Sequence, residues 1–399
     1  MKKRKILIAT CSILVILAVV IGSILWKNID AKAEYSNDYA KTFGEFTANT
    51  TKKLFKESKE NTCFSPVSMF AALSLAAEVT EGDTREELLN YLGVESIEEL
   101  EDKYAHLLRD ITVMTQGARL KLANAFWYVG GEPNDDDMEN FDSLENNFNC
   151  KINPREKILG SEVNKWVSEE TNGLIDKLIE EDDEYSILLA NALYYKAKWQ
   201  VDFKKKSDEQ EFYLESGDST KTEFICCENG TMKYDENKMY TYVEIPLLEG
   251  NLVVVLPKKN TKLDDILSQE KLNDILATYS CDDKKEGLVK LEMPMYEIGN
   301  SWSDELIDVM NKNNVNKLFE EPDWIKSISG VDARIKQETR FILNEEGIEA
   351  AAVTSVGATY LAKGENKPEL ELTVDRPFLY VLMKDDVPLF IGTVYNPTE

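Results

Sequence analysis

Between Asn344 and Ala362 the alternation of side chains fits two structures at once. From Ala350 to Ala362 there is no charge and no proline, and most residues are small or β-branched, so nothing forbids a strand. At period two, Ile348, Ala350, Ala352, Thr354, Val356 and Ala358 share one face that is able to be buried whole. Glu349, Ala351, Val353, Ser355, Gly357 and Thr359 share the other. The flanks, Asn344-Glu345-Glu346-Gly347 and Lys363-Gly364-Glu365-Asn366-Lys367-Pro368, have the composition of turns and exposed chain. Three alanines add little energy to an exposed loop, but they fit a narrow slot between two strands where larger side chains would overpack. The segment reads as a switch, loop in one state and central strand in the other. The plainer alternatives are an ordinary central strand and an Ala-rich helix start.

Elsewhere the pattern is simpler. Phe43, Phe46 and Phe55, spaced among polar residues, predict an amphipathic helix within 35–60. Pro66 to Ala77 is apolar almost all round and predicts a buried central helix. Val163, Trp166, Val167 and Leu174 lie on helical spacing, as expected of a helix packed on something flat. The run Ile187–Tyr195, apolar except for Asn191, predicts a strand covered on both faces. Tyr240–Ile245 and Leu252–Leu256 predict a strand pair split by a turn at Glu249-Gly250-Asn251. Helix dominates the first half and sheet the second. No internal repeat or low-complexity linker interrupts them, so one interlocked domain is expected.

The N-terminus changes the picture of where this domain resides. Lys2-Lys3-Arg4-Lys5 precedes the uncharged apolar run Ile6–Trp26, followed by the small-residue site Ala31-Lys32-Ala33. Residues 1–33 read as an export signal, either cleaved or retained as a membrane anchor, with residues 34–399 outside. Seventy-three acidic against 46 basic residues give a net charge of -27, which excludes nucleic acid as a partner and repels anionic lipid. Beyond residue 33 the cysteines are Cys63, Cys150, Cys226, Cys227 and Cys281, an odd set with no CxxC pair, neither a disulfide framework nor a zinc site.

Catalytic chemistry is missing. The single histidine, His106, is the one a nucleophilic triad would have to use, but its context is an ordinary helix and no nucleophile elbow accompanies it. No phosphate-binding glycine loop and no HExxH occurs. The sequence calls for no enzyme activity, no cofactor and no metal.

Five separated segments, in order, resemble the serpin family over about residues 36–399. Asn61-Thr-Cys-Phe-Ser65-Pro66-Val-Ser68 with Ala72-Leu73 resembles the family's central helix. Asn164-Lys-Trp166-Val167 with Thr171 resembles the helix lying across the main sheet, and Asn191-Ala-Leu-Tyr-Tyr-Lys196-Ala-Lys-Trp199 the strand beneath it. Glu345-Glu346-Gly347 with Ala350, Ala351 and Ala352 resembles the loop hinge. Leu372-Thr-Val-Asp375-Arg376-Pro377-Phe378-Leu379-Tyr380, followed by Pro388–Gly392 and Asn396-Pro397, resembles the C-terminal signature.

The resemblance implies an α+β fold, a single serpin-like domain with helices packed on a large central β-sheet, smaller sheets and an exposed reactive-centre loop. It also implies an extracellular, monomeric serine protease inhibitor that works as a suicide substrate, with a serine or a cysteine protease as covalent partner. Insertion of a serpin loop as an added strand is a known case of strand addition releasing stored strain. Counted as in the family, Gly347 stands fifteenth before the scissile bond, which places that bond at Leu361-Ala362. Tyr360 and Lys363 keep shifted registers open, and Leu361 suits apolar pockets of elastase or chymotrypsin type. The inserting segment runs from Glu345 through Glu346, Gly347, Ile348, Glu349, Ala350, Ala351, Ala352 and Val353 to Thr354. The sheet-opening region is implied to hold Ser68, Asn191, Trp199 and Gln337. Three residues depart from the family pattern: Ile348 replaces a small hydroxyl residue, Gln337 a frequent histidine, and Met295 a lysine that pairs with the position of Glu345. The rival reading within the family is a non-inhibitory extracellular binding protein. The alanines after the hinge speak for inhibition.

Overall fold

The thirteen-residue helix Pro66–Glu78 is buried along its whole length, and a helix apolar all round is stable only when other elements wrap it. Ser65 caps it, its Oγ accepting from the Ser68 N–H at 3.2 Å, and Pro66 opens it where no N–H is needed. Strands Ile187–Lys198 and Val387–Val394 pack against it. The computed structural model describes residues 39–55, 59–131, 133–181, 183, 185–281, 284–328, 335–348 and 367–399. Gly44–Glu399 make up one compact unit. The described part of the other, residues 39–43, is helical, with Tyr39 stacked on Phe43.

The main sheet runs in the order Tyr296–Trp302, Gln337–Asn344, Gly347–Ile348, Ile187–Lys198, Ala118–Val129, Val113–Met114, with Cys150–Arg155 parallel to Ala118–Val129. Helix Gly160–Glu170 lies on one face. Its Val163, Trp166 and Val167 join Ala123, Ala125, Trp127, Leu188, Ala190 and Ala192 in one buried cluster. The alanines make that face flat enough for the Trp166 indole, which meets Trp127 edge-on at 5.2 Å. With the helix above and Pro66–Glu78 packed on the strand as well, Ile187–Lys198 is covered on both faces, which is why its run Ile187–Tyr195 is apolar except for Asn191.

The second sheet has nine strands, ordered Thr62–Phe64, Val387–Val394, Phe378–Lys384, Gly250–Pro257, Tyr240–Leu247, Phe224–Glu236, Lys285–Pro294, Leu370–Thr373, with Lys204–Lys205 also on Phe224–Glu236. Gln210–Tyr213 and Ser219–Thr222 form a small separate ribbon. The α+β class and the large central sheet stand as expected, but only the ribbon is smaller than the main sheet, since the second sheet has nine strands. Two details differ. The turn expected at Glu249-Gly250-Asn251 is the two residues Leu248 and Glu249, because the ladder runs on to Leu247 opposite Gly250. Gly250 lies so close to the next strand that a Cβ would meet the Met383 carbonyl at 2.3 Å. Strands Ala118–Val129 and Cys150–Arg155 add sheet to the half expected to be mostly helical.

Candidate functional site

Strands Gln337–Asn344 and Ile187–Lys198 are joined, among the described residues, only through Gly347–Ile348. Leu343 faces Ile348 and Asn344 faces Gly347 on one side; Ala197 faces Ile348 and Lys198 faces Gly347 on the other. Both pairings are antiparallel. Ile348 is only 3% exposed, so the β-branched residue that replaces a small hydroxyl fits within the sheet. Glu345 and Glu346 make the exposed turn before it, and the Glu346 N–H donates to Asn344 Oδ1 at 2.9 Å. Glu345 forms no ion pair with a described residue.

Trp199 closes this end of the gap. Its backbone N–H donates to Glu346 O at 3.2 Å and its indole N–H to Asn344 O at 2.9 Å, while the ring packs on Phe203. The indole thus satisfies a strand-end carbonyl that would otherwise have to find water.

A second cluster lies farther along. Gln337 accepts from the Ser65 N–H and donates to Ser65 O, both at 2.9 Å and buried. Ser65 Oγ donates to Leu389 O at 2.9 Å, and Thr339 Oγ1 to Cys63 O at 2.9 Å. Gln337 therefore ties its strand to the cap of the central helix, one turn from the buried Ser68. On the opposite strand, Asn191 donates from Nδ2 to Asn124 Oδ1 at 2.7 Å, and Asn124 donates in turn to Tyr104 Oη and Phe148 O. Asn191 Oδ1 is sealed from solvent with no hydrogen-bond partner among the described residues. An orphaned buried acceptor costs roughly 1–3 kcal/mol, so this oxygen is a place where the sheet gains from receiving another donor.

Of the residues expected in this region, Ser68 and Gln337 come together around Ser65, Asn191 lies on the facing strand, and Trp199 stands at the far end of that strand. Ser65, Thr339 and Asn124 were not singled out for roles here; Asn124, a lone amide in an apolar strand, carried the same signal as Asn191. Glu349, Ala350, Ala351, Ala352, Val353, Thr354, Leu361 and Ala362 lie outside the described residues. Over the strand bordering the gap runs the segment that follows helix Gly160–Glu170. Arg340, paired with Glu297, reaches Leu174 O at 3.5 Å and ties that segment down.

The side-chain chemistry is structural. Burial pushes the Cys63 thiol up to about 12 and the Cys227 thiol to about 11, which leaves both protonated and unreactive. His106 contacts Arg109 and Asp102 on its own helix. Among the described residues no three His, Cys, Asp or Glu side chains are placed to hold a metal, and all five cysteines are free.

The sequence of residues 41–397 matches the family model for serpins, the serine protease inhibitors. This chain is a serpin. It is 29% identical over 375 residues to the antitrypsin of Bombyx mori, covering 87% of this chain and 92% of that one. Its fold is similar to that of Serpin48 from Tenebrio molitor, with a TM-score of 0.75, 22% identity, and coverage of 90% and 98% of the two chains. Its fold is similar also to that of human thyroxine-binding globulin, solved in complex with thyroxine, with a TM-score of 0.77, 19% identity and coverage of 91% and 99%. Serpins are mostly inhibitors rather than enzymes, and their fold alone does not decide the use to which a member is put. No helix of this serpin's described residues is long and apolar enough to cross a membrane.

Proposed function

We propose that this serpin is a suicide substrate for an elastase- or chymotrypsin-like serine protease, cut at Leu361-Ala362. The protease serine attacks the Leu361 carbonyl, the peptide bond to Ala362 breaks, and Leu361 stays esterified to the enzyme while Ala362 leaves as a new amino terminus. The freed segment inserts behind Ile348 as a central strand and carries the acyl-enzyme with it. Deacylation then stalls because the protease is deformed.

The observation that carries this reading is the double pairing of Gly347–Ile348. Continued residue for residue, its register sets Ala350 opposite Tyr195 and Phe341, Ala352 opposite Leu193 and Thr339, and Thr354 opposite Asn191 and Gln337. The small side chains are thereby matched to large buried ones. The hydroxyl of Thr354 is matched to the two polar residues of the gap, one of which holds the unpartnered oxygen. This pattern supports insertion over use of the loop as a passive linker.

Residues 1–33 direct export, with the inhibitor body from residue 34 outside the membrane, whether the segment is cleaved or kept as an anchor. Incubating the full chain with elastase, chymotrypsin and trypsin tests the function. An adduct that survives boiling in SDS is expected with the first two; cleavage of the loop without any adduct would instead make the chain a non-inhibitory serpin.

A further inference from the structure

A cavity of about 330 Å3 opens on the second sheet, away from the loop slot. Strands Tyr240–Leu247, Phe224–Glu236 and Lys285–Pro294 meet there, and their registers set Lys233 directly between Glu244 and Glu286. Residues in register point to the same face, so three charged side chains of both signs converge on one space. Neither Lys233 nor Glu286 forms an ion pair with any described residue.

Glu244 differs from the other two in being 5% exposed. Its Oε1 accepts from Lys284 Nζ and from Tyr242 Oη, each at 2.9 Å. Lys284 is itself buried and gives its other protons to the carbonyls of Thr278 and Tyr279. A buried carboxylate is held in this way only when its charge is met. Its second oxygen, Oε2, accepts no hydrogen bond among the described residues, and Glu244 lines the cavity. Asn251, also lining the cavity, donates its amide N–H to Tyr279 Oη at 2.7 Å and keeps Oδ1 unused among the described residues.

We propose that this cavity binds a small zwitterion of the α-amino acid class, its ammonium held by Glu244 Oε2, Glu286 and Asn251 Oδ1 and its carboxylate by Lys233. Two acids, Glu244 and Glu286, and two bases, Lys233 and Lys284, make the site neutral overall. A lone cation or anion leaves half of it unmatched, whereas a zwitterion meets both signs. The volume sits at the lower end of the roughly 300–1,000 Å3 usual for small-ligand pockets, which suits a ligand of this size.

Isothermal titration of the full chain with each of the common amino acids tests the site, with ethylamine and acetate as half-probes. At least one amino acid is expected to bind with Kd below about 1 mM. Lys233→Met should weaken it about tenfold and Glu286→Gln several-fold, while Gln210→Ala, on the separate ribbon, should change nothing. Lys233 and Glu286 are exposed, so both variants are expected to fold, which circular dichroism checks. Absence of binding by every amino acid at about 10 mM would overturn the proposal. So would acetate or ethylamine binding as well as the best amino acid, or binding that both variants leave unchanged. No protease enters the measurement, so its outcome is separate from that of inhibition.

Discussion

A Cβ placed on Gly347 would lie 2.1 Å from the carbonyl oxygen of Ala197. The two backbones approach this closely because Gly347 occupies the slot beside strand Ile187–Lys198, with φ at +154°. Even the smallest side chain must push that strand away or leave the slot, at a cost of about 1–3 kcal/mol. Gly347→Ala is therefore expected to lower the share of protease captured as adduct and to raise the share of cut, released inhibitor, with the rate of loop cleavage little changed. Densitometry of denaturing gels reads both products. Capture equal to that of the parent would show that the glycine is not needed where insertion begins.

Gln337→Met keeps the volume of the side chain but leaves the Ser65 N–H buried without its partner, while Ser65 O keeps only the Met69 N–H. The orphaned N–H costs roughly 1–3 kcal/mol, and the Ser65 cap of the central helix is disturbed with it. The uncut protein should lose about 1–3 kcal/mol in a urea titration. A loss below about 0.5 kcal/mol would mean that the pair of bonds does not hold the strand.

Much of this arrangement was legible in the sequence, for identifiable reasons. Pro66–Glu78 and Ile187–Lys198 are buried on all sides, so their apolar runs carry little other information. Trp166 and Val167 repeat at helical spacing because one face meets a flat sheet. The contact between Gln337 and Ser65 was not legible, since 272 residues separate them and only the folded sheet brings them together. The orphaned oxygen of Asn191 was hidden for the same reason, because its state depends on what Asn124 offers across the strand. The placement of the hairpin turn failed on Gly250, which reads as a turn residue but is required by the close approach to Met383.

Glu78, at the end of the central helix, is 4% exposed and has an unpartnered Oε2. Burial, and then the nearby Glu101 charge, push its carboxyl up to about 7, against a partial counter-effect of Arg85. A group whose pKa is higher folded than unfolded adds stability in full below its unfolded value. That contribution is lost as pH rises through the folded value. Here it is present below about 4.5 and gone above about 7, and the shift is worth about 3 kcal/mol. Glu78→Gln should remove this fall, leaving the variant more stable than the parent at about pH 8. Urea titrations across about pH 5–8 check it, and parallel profiles for the two proteins would refute it.

Mass spectrometry of the peptide released from the protease complex fixes the bait. It is expected to begin at Ala362, with Leu361 retained on the enzyme. A peptide beginning at Gly364 would assign the bait to Lys363 and a trypsin-like target.

Thr354 and Ala352 together test the register itself. On the exposed loop proposed for the uncut form, Thr354→Val and Ala352→Glu cost almost nothing, so the uncut proteins should melt with the parent. After insertion the two differ in kind. Thr354→Val keeps its shape but removes the hydroxyl set opposite Asn191, so Asn191 Oδ1 stays unpartnered and the cut form should lose about 1–3 kcal/mol. Ala352→Glu forces a carboxylate between Leu193 and Thr339, both about 5% exposed, where it must go uncompensated or take up a proton. That cost is larger and falls on the path of insertion, so this variant should be cut at the same bond, form little adduct and release active protease. Calorimetry of the cut forms then orders them parent, Thr354→Val, Ala352→Glu from most to least stable. If the valine variant melted with the parent after cutting, Thr354 would not reach Asn191. A register shifted by one residue, which exchanges the two faces of the inserting segment, would then replace the one extended from Ile348.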